Sequence, residues 1–314
     1  MSSDVTTDQT SSWMETPPRN PALRHWNAKL IANMPWLDKL SSPLQGWLAK
    51  FYGQPGQPRY QLKDFLNGVW LGHTLHPVLV QVPIGAWTGT FVLDLAWLQS
   101  QDDGVASGAD LLMWVGLASA GGAALSGLTN WVDTDGSEQR TGMLHALLNG
   151  GITLLNLGSA LLRLSGDRRA AITLASTSYA LTLYSAYLGG ELAYSTAIGV
   201  NHVAWEGGSD EYVAVMDEKD LVPGKLTRVD VAGIPAVLHR YGDSICAIAA
   251  TCSHLGGPLD EGTYKDGIVY CPWHNSGFRI CDGSVANSPA VYAQPTFAVR
   301  TRNGKIELRR LEHA

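Results

Sequence analysis

The pattern of apolar and polar positions changes character three times along this chain. From 21 to 70, short apolar groups recur at helical spacing with lysines between them. From 71 to 200, four long apolar stretches follow, at roughly 77–98, 110–130, 143–163 and 170–190. Each is long enough to cross about 30 Å of hydrocarbon as a helix. The second is filled with small residues from Gly116 to Ala124, a composition that lets membrane helices approach closely. A soluble four-helix bundle would need polar outer faces, and the second and fourth stretches read as having almost none. A polar, glycine-containing linker occupies 201–210. Beyond 211 the period becomes two. Val213–Met216, Thr227–Val231, Ala236–His239 and Ile245–Ala249 read as strands between Gly, Pro and Asp turns. Asn303-Gly304, between two alternating runs, reads as a hairpin turn. The pattern predicts a multidomain chain. An N-terminal segment spans 1–70, its first twenty residues too rich in Ser, Thr and Pro to fold. A four-helix transmembrane bundle spans 71–200, and an all-β domain spans 211–314.

Composition agrees with a membrane protein: 45% of residues are hydrophobic and only 16% are charged. A net charge of −6 argues against general nucleic-acid binding. No apolar core of a secretory signal lies in the first thirty residues. Trp26, Trp36, Trp47 and Phe51, interleaved with Lys29, Lys39, Lys50 and Lys63, suit helices lying at a membrane interface in contact with lipid. They equally suit a helical layer packed on its own domain.

Four crossings return the chain to its starting side. That places His73, His76, His145 and His202 beside the C-terminal domain, together with Asp133, Asp135 and Glu191. Ionisable residues at the ends of spanning helices are functional candidates. The histidine group has several open roles: axial ligation of haem b, contact with a quinone, proton relay, or plain solvation at headgroup level. Asp94, near the far end of the first stretch, is expected to snorkel to the opposite interface, with a proton path as the alternative.

The chemistry concentrates near the C-terminus. Cys252-Ser-His254 is followed, sixteen residues later, by Cys271-Pro-Trp-His274. Thiolate and imidazole together suit zinc or an iron–sulfur centre. Zinc ribbons pair C-x-x-C with C-x-x-C or with two histidines, whereas here each loop supplies one Cys and one His. A Rieske centre needs that division, two Cys on one iron and two His on the other. With the flanking Gly256-Gly257-Pro258 and Ser276, this stretch resembles the Rieske 2Fe-2S family. The resemblance implies that Cys252 and Cys271 hold the inner iron, while His254 and His274 hold the reducible iron near the surface. It implies that Gly256 permits the tight loop and that Ser276 donates to a bridging sulfide. It also implies an antiparallel sandwich with a cluster-binding subdomain.

Two departures set the subtype. Gly257 and Trp273 stand where quinol-oxidising Rieske proteins carry a disulfide pair, and Phe278 stands where they carry a tyrosine. The loops therefore resemble those of Rieske ferredoxins and oxygenase-type domains. A potential nearer about −150 than +300 mV is expected. Of the other cysteines, Cys246 lies in an apolar strand and reads as a core thiol, and no disulfide framework is implied.

The helical part also has a likeness. Leu71-Gly-His73-Thr-Leu-His76-Pro77, Pro83-Ile-Gly85, Asp94 and His145-Ala-Leu-Leu-Asn149 look like a bacterial four-helix membrane domain of unknown function. The expected function is one-electron transfer by a membrane-anchored Rieske protein, exchanging with a redox partner protein, a quinone or a haem. A redox-sensing or structural module without turnover, a Rieske cap on a membrane domain, is the alternative. Lys and Arg divide evenly between the two sides, and the missing protective disulfide pair points to a reducing compartment. The Rieske domain is accordingly expected on the cytoplasmic face of the bacterial cell membrane. Donor, acceptor and oligomeric state are not legible.

Overall fold

A computed structural model describes residues 22–206 and 208–311. The expectation of an unfolded start falls on residues outside that range. Eight helices come first: α1 (Ala22–Ala32), α2 (Asp38–Tyr52), α3 (Pro58–Asn67), α4 (His76–Leu79), α5 (Gln81–Ser100), α6 (Asp103–Trp131), α7 (Gly136–Leu164) and α8 (Arg168–Gly190). Local chemistry sets the ends. The Asp102 carboxylate accepts the Val105 amide at 2.9 Å to start α6, and Asp167 accepts Ala170 at 3.1 Å to start α8. Gly68, at φ +93°, ends α3 in the left-handed region.

The four long helices form a closed ring, α5 on α6 and α8, and α7 on the same two neighbours. Trp87, Met113, Ile152, Ala160 and Ala175 meet at its centre. Gly116 lets the Trp87 indole lie flat against α6, since an added Cβ would have no room. Three stretches, His76–Ser100, α6 and α7, are long and apolar enough to cross a membrane. The polarity of the fourth helix corrects the sequence reading. Ser178, Thr182 and Ser185 of α8 are buried, and Ser178 donates to Ile152 O at 3.2 Å. Hydroxyls turned into the ring hydrogen-bond backbone carbonyls, and the exposed Thr173 and Thr177 bond carbonyls of their own helix, which together lower its hydropathy.

Asp94 is a second correction. It is 1% exposed, so its carboxylate does not extend to solvent. It pairs with Arg163, which is also 2.9 Å from Asp110. Arg168 bonds the other Asp110 oxygen at 2.5 Å. One hairpin supplies both carboxylates and the other both guanidiniums, which neutralises a charge that would be costly alone.

The N-terminal helices are a packed layer with an exposed outer face. Leu37, Leu48 and Tyr52 join Trp131 and Met143 in one core, and Tyr52 shares a 2.7 Å hydrogen bond with Thr129. Trp26, Trp36 and Trp47 stay about half exposed on the other face.

The β region holds three antiparallel sheets. β1 (Val213–Asp217), β10 (Lys305–Arg310) and β9 (Phe297–Arg302) form one. β2 (Thr227–Val231), β3 (Ile234–Tyr241) and β4 (Ser244–Ala249) form the second, and the pair encloses Val231, Leu238, Phe297 and Leu308. β5 (Thr263–Lys265), β6 (Ile268–Tyr270), β7 (Gly277–Arg279) and β8 (Val285–Asn287) form the third, smaller sheet. Asn303 and Gly304, at φ +52° and +72°, make the turn between β9 and β10.

Cys246 is not a free core thiol. It is joined to Cys281, 35 positions on, tying β4 to the turn after β7. The alternating pattern places Cys246 inside the strand, but only the packing of the third sheet on the second brings Cys281 to it.

Candidate iron–sulfur centre

The two cysteine loops are near copies. In the first, the Cys252 amide donates to Gly257 O and the Gly256 amide to Cys252 O, both at 2.8 Å. In the second, the Cys271 amide donates to Ser276 O at 2.9 Å and the Asn275 amide to Cys271 O at 3.0 Å. Gly256 and Asn275 take positive φ, +77° and +64°, to close these turns. The curled backbone aims amides back at each sulfur. His254 and Leu255 donate to Cys252, and Trp273 and His274 donate to Cys271.

The two thiols are buried, at 1% and 4% exposure, and hydrogen-bond each other. That bond and the amides hold Cys271 down to about 6. The same bond and burial push Cys252 up. Gly257 sits against the pair: an added Cβ would lie 2.7 Å from Cys271 Sγ. The imidazoles of His254 and His274 lie beside each other, centroids 5.1 Å apart and nearly perpendicular. Burial first, then the charges of His274, Lys63 and His202, hold His254 down to about 3. The ring is neutral at physiological pH, as ligation requires.

This donor set fits a two-iron cluster. Two sulfurs lie together, two imidazoles lie together, and amides face the sulfurs. Among the described residues, no three His, Cys, Asp or Glu converge on a single-ion site, which a tetrahedral zinc would need. Ser276 is fully buried, and its Oγ accepts the Ala290 amide at 3.1 Å, leaving its own hydrogen to donate. Phe278 is fully buried in the same core as both thiols and offers them no hydroxyl. Gly257→Ala is expected to prevent cluster assembly while the sandwich still folds. Iron per chain against circular dichroism measures this, and a full complement of iron in the variant would refute it.

The chain matches the model of the Rieske 2Fe-2S domain over residues 211–298, and that of a predicted membrane protein (DUF2231) over 72–202. Ferredoxin CarAc of Metapseudomonas resinovorans is 32% identical over 96 residues, 30% of this chain and 90% of that protein. The chain belongs to the Rieske 2Fe-2S family. A second relative is the anthranilate 1,2-dioxygenase ferredoxin subunit of Burkholderia cepacia, 31% identical over 24% of this chain and 68% of that protein. Among solved structures, the ferredoxin of carbazole 1,9a-dioxygenase from Nocardioides aromaticivorans is 30% identical. It covers 31% of this chain and 96% of its own, with a TM-score of 0.30. The Rieske part is therefore a ferredoxin-like electron-transfer domain that follows a helical region of a predicted membrane family.

The histidine edge lies against the helical region, with His254 and His274 only partly buried there. Nε2 of His274 lies 3.4 Å from the Asp135 carboxylate, in the turn between α6 and α7. The His202 amide donates to Ser253 O at 3.1 Å. From α3, the Tyr60 hydroxyl donates to Ser288 O at 2.9 Å, and Asp64 accepts the Ser288 amide at 2.8 Å. The Tyr292 hydroxyl donates to Gly199 O at 3.1 Å. Lys63, 6% exposed, reaches Asp133 at 2.9 Å between these contacts. Burial raises the carboxyls of Asp64 and Asp133 and the phenol of Tyr60, and the Lys63 ammonium opposes the rise at both acids.

A narrow slot remains in this junction, lined by Asn67, Thr74, Asn130, His254 and Tyr292. It encloses about 360 Å³ counting its open mouth. Asn67 is 2% exposed there, and its Nδ2 has no hydrogen-bond partner among the described residues.

The four histidines of the helical region separate. His73 is exposed, and its Nδ1 lies 3.1 Å from Thr74 O. His202 bonds Ala197 O at 3.0 Å through Nε2. His76 and His145 instead turn into the helices. Sequence spacing does not point to Tyr60, Asp64 and Tyr292. Tyr60 and Asp64 do share one face of α3, but their partners are backbone groups of a loop more than two hundred residues away.

Proposed function

We propose that this is a membrane-anchored Rieske protein that moves single electrons between its cluster and its own helical region. Cys252, His254, Cys271 and His274 are the ligands. When bound, the 2Fe-2S cluster supplies one-electron oxidation and reduction at the histidine-held iron. The chain's own residues set where that exchange happens. Amides after each cysteine receive the sulfur charge, and Phe278 keeps the core dry. Asp135 holds the ring of His274 through Nε2, and Lys63 with Asp133 fills the space alongside. The observation that carries the reading is the histidine edge packed against the helical region. A soluble oxygenase would meet α3 and the turn between α6 and α7 beside that edge. The partner is therefore a carrier of the membrane phase, a quinone or a haem.

In this reading α8 is the fourth crossing. It returns the chain to the side of Asp135 and the Rieske domain, and leaves the Asp94–Arg163 cluster on the far side. The Cys246–Cys281 bond favours an orientation opposite to the one expected from sequence, with the Rieske domain in the oxidising compartment.

Stopped-flow mixing tests the route. Menadiol in detergent micelles or vesicles is expected to reduce the cluster of the full chain within the mixing experiment. A chemically reduced cluster should then transfer poorly to an added soluble Rieske oxygenase. Fast, saturable transfer to the oxygenase together with inertness toward menadiol would overturn the reading.

A further inference from the structure

The three N-terminal helices all rest on one end of the ring. Gln45 of α2 donates to Trp131 O at 3.1 Å and to Thr134 O at 2.9 Å. Asn27 of α1 accepts the Tyr184 hydroxyl at 2.7 Å, and Arg24 pairs with Glu191 at 3.3 Å. Lys63 of α3 reaches Asp133. Every one of these partners lies at the turn from α6 to α7 or at the end of α8, where the apolar stretches stop. The outer surface of the ring carries Leu111, Leu154 and Leu183, each more than half exposed. A bilayer that covers those leucines brings its headgroups to the level of α1, α2 and α3.

α2 has three sides. At about 100° per residue, Leu40, Trp47 and Phe51 fall within about 40° of one another. They are 47%, 60% and 36% exposed. Ser41, Leu48 and Tyr52, which are buried, lie about 100° to one side, and the exposed Lys39 and Lys50 lie about 90° to the other. α1 repeats the order. Leu23 and Trp26, both more than half exposed, stand between the buried Asn27 and Ile31 and the exposed Lys29. A helix on the surface of a soluble domain needs two sides, one packed and one polar. These helices carry an apolar side between the two. Aromatic contacts join it across helices: Trp47 stacks on Phe51 at 5.7 Å, and the Arg59 guanidinium, from α3, lies 5.4 Å over the Phe51 ring.

Charge names what covers this side. Residues 22–71 hold six Lys or Arg against two Asp, in a chain where acids outnumber bases 28 to 22. Arg24 and Lys63 are paired, but Lys29, Lys39, Lys50 and Arg59 are exposed and make no ion pair among the described residues. Surfaces that meet another protein are poor in lysine. Tryptophan flanked by lysine suits a helix lying in a bilayer interface, with indoles at the boundary and ammonium groups among the phosphates. We propose that α1, α2 and α3 form a lipid-binding shelf in the interface of the bilayer that the ring spans. Trp26, Trp36 and Trp47 sit at the apolar boundary, and Lys29, Lys39 and Lys50 hold the phosphates of anionic phospholipids. Packing on the ring and contact with lipid are then two sides of the same helices. The shelf requires a ring that spans a membrane, and it does not depend on which carrier serves the cluster.

The test puts a nitroxide on the full chain in phosphatidylcholine vesicles containing phosphatidylglycerol. The native cysteines are assigned to the cluster and the disulfide, so Trp47→Cys and Ala49→Cys each add one free thiol. Ala49 is exposed and lies about 200° further round α2 than Trp47. Dissolved oxygen should relax the label at 47 more than a water-soluble nickel chelate does, and the chelate should relax the label at 49 more. A chelate that reaches both labels alike would overturn the shelf. So would a label at 47 shielded from both reagents, which marks contact with protein, a second copy included. Spin-labelled phosphatidylglycerol should be motionally restricted by the wild-type chain several-fold more than spin-labelled phosphatidylcholine. Lys29→Gln/Lys39→Gln/Lys50→Gln should lose that preference. Equal restriction of the two lipids by wild type, or a preference unchanged in the triple variant, would overturn the phosphate contacts. The Rieske electron-spin-resonance signal, recorded on every variant after reduction, reports that the chain is folded. None of these outcomes touches the electron route, which menadiol tests separately.

Discussion

Cys271→Ser is expected to yield full-length protein with no Rieske electron-spin-resonance signal and at most background iron and acid-labile sulfide. The expected loss is complete, because Cys271 has no substitute nearby. The other two cysteines are joined to each other, and Cys252 would be left as a single thiolate facing the irons. The surrounding fold should persist. Ile248, Val269, Phe278 and Ile280 pack the core around the loops without help from the sulfur. Circular dichroism and elution volume should therefore stay near wild type while the brown colour is lost. A variant that retains the signal would mean that the ligand assignment is wrong.

Arg163→Met should produce the largest loss of stability in the helical region. Arg163 is 3% exposed and pairs with both Asp94 and Asp110. Removing it leaves the 1%-exposed Asp94 with only Arg168, 3.9 Å away. Stranding a buried charge typically costs about 3–5 kcal/mol. Thermal unfolding in detergent should show a marked drop in midpoint. Asp94→Asn/Arg163→Met, which removes both charges, should recover most of it. Equal stability of single variant and wild type would show that the cluster is solvated.

How much of this was legible in sequence depended on the range of the interaction. The ligand loops could be read because all four donors lie within 23 positions of one another, and the turn chemistry of Gly256 and Gly257 is local. The strands followed from alternation, and the helices from long apolar runs. Asp94 was misread because its position alone put it near a helix end. Its partner Arg163 comes from the third long helix, a contact made by ring closure that no local pattern encodes. Cys246 was misread for the same reason, since Cys281 reaches it only after two sheets pack. The junction was the least visible part. Tyr60, Asp64 and Asp135 act through a backbone carbonyl, a backbone amide and the Nε2 of His274, and spacing records none of these.

The seating of the histidine edge against the helical region is the claim on which the route of the electron depends, and a distance measurement tests it most directly. The four native cysteines are assigned to the cluster and the disulfide, so Ser137→Cys would introduce the single free thiol for a nitroxide label, two residues from Asp135. If the helical region sits on the histidine edge, chemical reduction of the cluster to its paramagnetic state should sharply speed the relaxation of that label. A label whose relaxation is the same with oxidised and reduced cluster would place the Rieske domain away from the turn after α6, and the account would fail.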